Sequence, residues 1–387
     1  MAEQESRTQS STWSRWLLAV SGICLFGFLA AWALGIKAFI GPPFILMLAT
    51  LAIYFQTKPS LKVFTFTFWV FAFTAAALFY PVAFFSWGGF ELKRLNVPLI
   101  QLIMFGMGAS LSFGDFARAV KMPKAVLIGM LLQFTVMPLA GWSVAHVFGF
   151  EPEVAAGVIL IGSCSGGVAS NVMAYLARAN VALSVTMTAC STLLAPLMTP
   201  TAMKILAGRL VPIPFMGMMI SIIKMVILPI VAGLIANWLL HGRRKWLDRI
   251  LPVVSMAAIC FIIAIIAANS RNELLTAGFL LIGAAAVHNT IGYTLGYFGA
   301  RAARLSEIDC RTVALEVGMQ NGGMAVGLAI DVLKSTNAAL APAIFGTWMN
   351  VSGSTLASWW RESIPPDAHA DQAEKTKEPE RIEALPT

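Results

Sequence analysis

The sequence predicts an all-α protein that crosses a membrane many times. Three observations predict it. The chain of 387 residues is 58% hydrophobic, with a mean hydropathy of +0.77. Charged residues make up 12% of it, where a soluble domain carries about 25%. Apolar runs near the ~20 residues a spanning helix needs recur from end to end, separated by short polar links.

The elements follow in order. A polar N-terminal tail covers residues 1–15. Apolar segments at 16–36 and 38–56 come next, within an extra N-terminal region, 16–60. Only Lys37 separates the two, and Gly41-Pro42-Pro43 interrupts the second. They read as a tight hairpin, as one span plus an interfacial piece, or as a signal segment that is long for its class. Ten further apolar segments lie at 64–87, 97–113, 125–148, 154–179, 181–207, 215–240, 251–270, 278–303, 311–333 and 339–360. The tail at 361–387 is rich in Pro, Glu, Lys and Asp and is expected to be disordered. Most of the 27 Lys and Arg residues fall in links on the side of the N-terminus. That bias puts both termini in the cytoplasm of a multi-pass protein of the cell membrane. Trp16, Trp87, Trp142, Trp238, Trp359 and Trp360 fall near segment ends and read as interface anchors.

The ten-segment unit, 64–360, divides into two groups of five, 64–207 and 215–360. In each group the fourth segment is Gly-rich and polar: Gly162–Asn171 in the first, Glu316–Gly323 in the second. Because five is odd, the groups enter the membrane from opposite sides. Glycine-interrupted spans at matching places of inverted repeats point to a transporter site.

Glu316 is the most informative residue. A carboxylate at mid-membrane depth costs roughly 2.5–3.5 kcal/mol on insertion scales, so it pairs with a cation, holds a proton or faces water. Gln320 follows at i+4 on the same helical face, and Asn321 adjoins it. Unwinding at Gly318 and Gly322-Gly323 would release backbone carbonyls beside the acid. An acid, two amides and free carbonyls suit a cation; a protonated glutamate hydrogen-bonded inside the bundle is the bland alternative. Ser170 and Asn171 offer oxygens beside the first Gly-rich break, where close helix packing is the competing reading. Ser184 and Thr188 share a helix face, although hydroxyls in membrane helices often bond their own backbone. Gln133, His288 and Asn289 lie deep in their segments, and Lys224 is a lone cation within one.

Other classes of protein fit poorly. The five cysteines have no paired or metal-like spacing, and the basic residues sit between spans rather than forming a nucleic-acid surface. No His-Glu-x-x-His, phosphate loop or nucleophile elbow occurs, so no enzyme and no resident cofactor is expected.

These residues resemble the bile acid:sodium symporter family over roughly 64–360. Gly106-Met107-Gly108, Gly162–Asn171, Ala182-Leu183-Ser184 with Thr188, and Glu316–Asn321 carry the resemblance, in order. It implies ten helices in two inverted five-helix repeats, with a core domain of two crossed broken helices facing a panel domain. It implies one sodium held by Ser170, Asn171, Ser184, Thr188 and Glu316. A second would be held by Gln133, Glu316, Gln320 and the carbonyls of Val317 and Met319. The substrate side would include Val168, Asn321, Met349, Asn350 and His288. The family often has Cys-Pro-Gly-Gly-Thr where this chain has Cys164–Val168, and His where it has Met349. The sodium ligands therefore keep the pattern and the substrate contacts depart from it, which argues against bile acid itself as cargo. The expected function is sodium-coupled symport of an organic anion, bile-acid-like, keto-acid-like or pantoate-like, by alternating access. The alternatives are proton coupling through Glu316 and His288, a channel or sensor, and an intramembrane enzyme using Cys164.

Overall fold

A computed structural model of the chain describes residues 2–58, 61, 64–112, 114, 122–240 and 245–363. The tail expected to be disordered lies, beyond residue 363, outside the described residues. So do several loop cations that set the expected orientation, Lys62, Arg118, Lys121, Arg243 and Arg244 among them.

Among the described residues the architecture is helical apart from one small hairpin. Helices α1 (Ala2–Ala33), α2 (Gly41–Thr57) and α3 (Thr65–Phe79) open the chain. A strand pair, β1 (Ser86–Trp87) and β2 (Phe90–Glu91), and α4 (Asn96–Ser110) follow. Next come α5 (Pro123–Val147), α6 (Pro152–Ser163), α7 (Ala169–Leu176) and α8 (Val181–Leu206). A π-helical turn, Ile223–Ile227, joins α9 (Phe215–Ile222) to α10 (Leu228–Leu239). The chain continues through α11 (Lys245–Asn269), α12 (Arg271–Ala302), α13 (Glu307–Gly318), α14 (Gly322–Asp331) and α15 (Thr336–Glu362). Among the described residues, six stretches are long and apolar enough to cross a membrane: Trp13–Ala33, Pro123–Val147, Val181–Leu206, Phe215–Leu239, Ile250–Asn269 and Arg271–Ala302.

The element bounds follow from local chemistry. Asn180, Ser306, Asn321 and Ser335 each accept a backbone N–H from three residues on, capping α8, α13, α14 and α15. Prolines open α5 and α6, where the missing N–H has no helical partner to lose. The segment expected at 64–87 is shorter in the structure: Pro81 ends its helical run, and a 3-10 turn and the hairpin take over.

Packing orders the helices around the two interrupted segments. The α6 residues Val154 to Ser163 are all buried, as are Cys310 to Gly318 of α13. A helix buried on every face belongs at the centre of a bundle. Around this centre stand α5, α8, α12 and α15, each touching at least one half of an interrupted segment. A second set, α3, α4, α10 and α11, packs largely on itself. There α4 and α10 meet through Gly108 and Gly233. A methyl on Gly108 would lie 2.0 Å from the Ile230 carbonyl oxygen, and one on Gly233 2.2 Å from that of Phe105. Small residues at such crossings let helix backbones touch in a membrane. Helices α1 and α2 pack on each other, joined by Ser21 and Thr50 at 2.7 Å, and reach the rest mainly through α3.

One anchor is reassigned. Trp360 is buried, with the Arg311 guanidinium 5.6 Å from its ring centre, whereas Trp16, Trp87, Trp142, Trp238 and Trp359 are exposed. Arg311 also donates to the carbonyls of Trp360 and Ser363 and pairs with Glu307 at 3.0 Å. That tie fastens the end of α15 to the start of α13.

Candidate functional site

Two helices stop inside the bundle, and their interruptions cross. Helix α6 ends at Ser163 and the chain turns extended at Cys164; α13 ends at Gly318 and turns extended at Met319. The two extended stretches pair antiparallel, as strands do, through a bridge between Gly166 and Gln320. Gly167 N donates to Met319 O at 2.9 Å, and Asn321 N donates to Ser165 O at 2.9 Å. Backbone groups that helix termination would leave unpaired thus satisfy each other across the crossing.

The glycines allow this by having no side chain. A methyl on Gly167 would lie 2.6 Å from the Gln320 carbonyl oxygen, and one on Gly166 would lie 2.8 Å from Glu316 Oε2. The expected unwinding at Gly318 and Gly322-Gly323 is accordingly displaced. Those glycines sit at helix ends, and the extended residues are 319–321.

Glu316 lies one turn before its break and is 2% exposed. Ser170 Oγ and Ser184 Oγ each donate to its Oε1 at 2.5 Å. Thr188 Oγ1 lies 3.0 Å from both carboxylate oxygens. Asn171 Oδ1 joins the group, 2.8 Å from Ser184 Oγ and 3.3 Å from Thr188 Oγ1. Residues from α7, α8 and α13 therefore converge on one carboxylate, and no Lys or Arg among the described residues forms an ion pair with it. All five side chains expected at the first sodium position meet here.

The second expected set meets in part. Gln133 Nε2 donates to Gln320 Oε1 at 2.7 Å and lies 3.0 Å from Cys164 O. Gln320 Nε2 donates to Val317 O at 2.7 Å, and Met319 O takes the Gly167 bond. No hydrogen bond among the described residues joins either glutamine to the Glu316 carboxylate.

The residues expected on the substrate side scatter more widely. Asn321 Oδ1 caps α14, and its Nδ2 is buried with no hydrogen-bond partner among the described residues. Met349 Sδ accepts Gln320 N at 2.9 Å, and Val168 precedes α7, half-buried. Asn350 bonds within its own helix, to Gly346 O at 2.7 Å. His288 makes no hydrogen bond to these groups among the described residues: its Nε2 is 3.4 Å from Met137 O, and its ring packs on Phe345 at 5.4 Å.

Several contributors lie outside the two expected sodium sets. Ser191 Oγ accepts Gly166 N at 3.2 Å, and Thr199 Oγ1 donates to Ser163 O at 2.8 Å, so α8 holds the first break along its length. Asn180, which caps α8, donates to Asp309 Oδ1 at 2.9 Å, and its N–H reaches Thr312 Oγ1 at 2.8 Å. Thr312 and Asp309 lie four and seven residues before Glu316, on its helical face, a spacing that was available as a signal.

The fold and site define a class: a multi-pass membrane protein with paired interrupted helices around buried polar groups. Comparison with known proteins narrows it. The profile of the Sodium Bile acid symporter family matches residues 97–277. The uncharacterized sodium-dependent transporter YocS of Bacillus subtilis (strain 168) is 38% identical over 300 residues, which span 78% of this chain and 92% of that protein. The probable chloroplastic sodium/metabolite cotransporter BASS1 of Arabidopsis thaliana is 34% identical over 266 residues, 69% of this chain and 66% of that one. The ileal sodium/bile acid cotransporter of Oryctolagus cuniculus is 37% identical over 243 residues, 59% of this chain and 67% of that one. The chain belongs to the sodium bile acid symporter family, a family of transporters and not of enzymes.

Proposed function

We propose that this protein couples sodium entry to the uptake of a small organic anion by alternating access. One observation carries the proposal: hydroxyls from two other helix segments converge on a buried carboxylate that has no cationic partner among the described residues. Hard cations take oxygen ligands. A sodium ion held by Ser170, Asn171, Ser184, Thr188 and Glu316 would let the hydroxyls turn their lone pairs inward. A second ion would sit with Gln133, Gln320, Glu316 and the carbonyls of Val317 and Met319. The amide of Gln320 that now bonds Val317 O would have to rotate away, freeing two oxygens at once. Two cations beside one carboxylate leave net positive charge, which favours an anion nearby.

The unpartnered Nδ2 of Asn321 supports a substrate oxygen close to the crossing. Val168, Met349 and Asn350 are proposed to shape that cavity, with His288 behind them. The names of the relatives support sodium as a ligand and a small metabolite as cargo. We assign α5–α8 and α12–α15 to a core, and α3, α4 and α9–α11 to a panel. These form two inverted repeats, 64–207 and 215–360, with both termini in the cytoplasm. Rigid motion of core against panel would alternate access. No hydrogen bond among the described residues joins His288 to Glu316, so a proton relay between them has no direct link.

Uptake into vesicles driven by sodium, by potassium and by a pH gradient alone tests this. Sodium should drive uptake, and Glu316→Gln should abolish the sodium dependence while the protein still inserts. Equal uptake in potassium, or full sodium drive in Glu316→Gln, refutes the ion assignment.

A further inference from the structure

We propose that Asn289, braced by Ser352 and Tyr293, is a positioning group that sets the sodium affinity of the crossing by holding the Gly318 carbonyl. The proposal rests on the sodium reading above and adds residues to which that reading gives no role.

Where α13 stops, its last carbonyls lose their helical donors. Each finds a replacement of a different kind. Val317 O takes the side-chain amide of Gln320, a proposed ligand that can swing away. Met319 O takes the backbone of the crossing strand. Gly318 O takes Asn289 Nδ2 at 2.6 Å, from α12, a helix that supplies none of the proposed sodium ligands. Asn289 is itself fixed: it is 2% exposed, and its Oδ1 accepts Ser352 Oγ from α15. Ser352 Oγ lies 3.2 Å from the Tyr293 hydroxyl, one turn along α12 from Asn289. The Tyr293 ring in turn covers Gly318, where an added methyl would lie 2.2 Å from it, and a methyl on Gly292 would lie 2.7 Å from the Gly318 Cα.

The arrangement withdraws one carbonyl from the ion and fixes its direction. Peptide units are planar and linked through shared Cα atoms, so anchoring the Gly318 carbonyl restricts the flanking Val317 and Met319 carbonyls. Those two are the proposed backbone ligands. Ligand-orienting partners of this kind commonly set metal affinity by about ten- to a hundredfold. Helix α15 carries the brace and also packs on α3 and α11, so it adjoins the proposed panel.

A thermal-unfolding titration of the full chain in detergent, with sodium replacing potassium at constant ionic strength, tests the proposal. Asn289→Ala should raise half-saturating sodium about tenfold. Its midpoint in potassium alone should stay within about 4 °C of the parent, a shift typical of a loss confined to one contact. Ser352→Ala and Tyr293→Phe should each raise half-saturation by about two- to fivefold. The Asn289→Ala/Ser352→Ala pair should be no worse than Asn289→Ala, since both act through one bond. Parental half-saturation in Asn289→Ala, or additive losses in the pair, overturns the proposal. If Asn289→Ala does not fold, the two milder variants decide it, and parental half-saturation in both overturns it. Absence of any sodium shift in the unmutated chain overturns the sodium reading itself, an outcome visible without a variant.

Discussion

At the scale of the residue, the buried acid explains its own surroundings. A carboxylate sealed in a bundle must be compensated, and here hydroxyls do it from two directions. Glu316, Ser170, Asn171, Ser184 and Thr188 were legible because each is polar where the pattern demands apolar side chains. Gln133 and Gln320 were legible for the same reason, but their bond to each other joins α5 to the second break, and sequence distance hid it. The two glutamines predict a separable effect. Gln320→Ala removes the amide that reaches both Gln133 and Val317 O, and leaves the hydroxyl group around Glu316 in place. Sodium titrations of uptake should then fall from a cooperative to a near-hyperbolic dependence. An unchanged Hill slope would remove Gln320 from the ion sites.

At the scale of the element, the breaks are held by each other rather than by local flexibility. Gly166 and Gly167 mark where one backbone lies against another, and their φ angles are not of the left-handed kind. The sequence located both interruptions to within a few residues, but it attributed them to loosened helix. The extended pair at the crossing needs a partner strand from the other repeat, which no local pattern reveals. Gly167→Ala sets a methyl 2.6 Å from a backbone oxygen that cannot rotate away. It should destabilise the fold by about 1–3 kcal/mol, measured as a lowered unfolding midpoint. Gly22→Ala, with nothing within 4 Å of the added methyl, is the control and should match the parent. Equal midpoints for the two variants would mean that the crossing yields freely.

At the scale of the whole molecule, α1 and α2 stand outside the bundle that carries the site. Their main contacts are with each other and, through α2, with α3. Removal of residues 1–60 should therefore leave the sodium-dependent thermal shift intact, with half-saturation within about twofold of the parent, as expected for distant independent sites. Loss of the shift would place the pair inside the transport unit.

The sequence by itself determined the helical class, the succession of apolar segments, the two polar interruptions and the acid between them. Each is a one-dimensional signal: length, hydropathy, or a charge where lipid or packed core forbids one. Tertiary structure alone decided which groups meet that acid, why the glycines are there, and that Asn289 holds Gly318 while His288 meets Met137. Those outcomes depend on residues up to 187 positions apart, as Gln133 and Gln320 are. Hydrogen bonds inside a membrane bundle form between whichever polar groups folding brings within reach. The pattern along the chain fixes that such groups exist, and only the packing of helices fixes their partners.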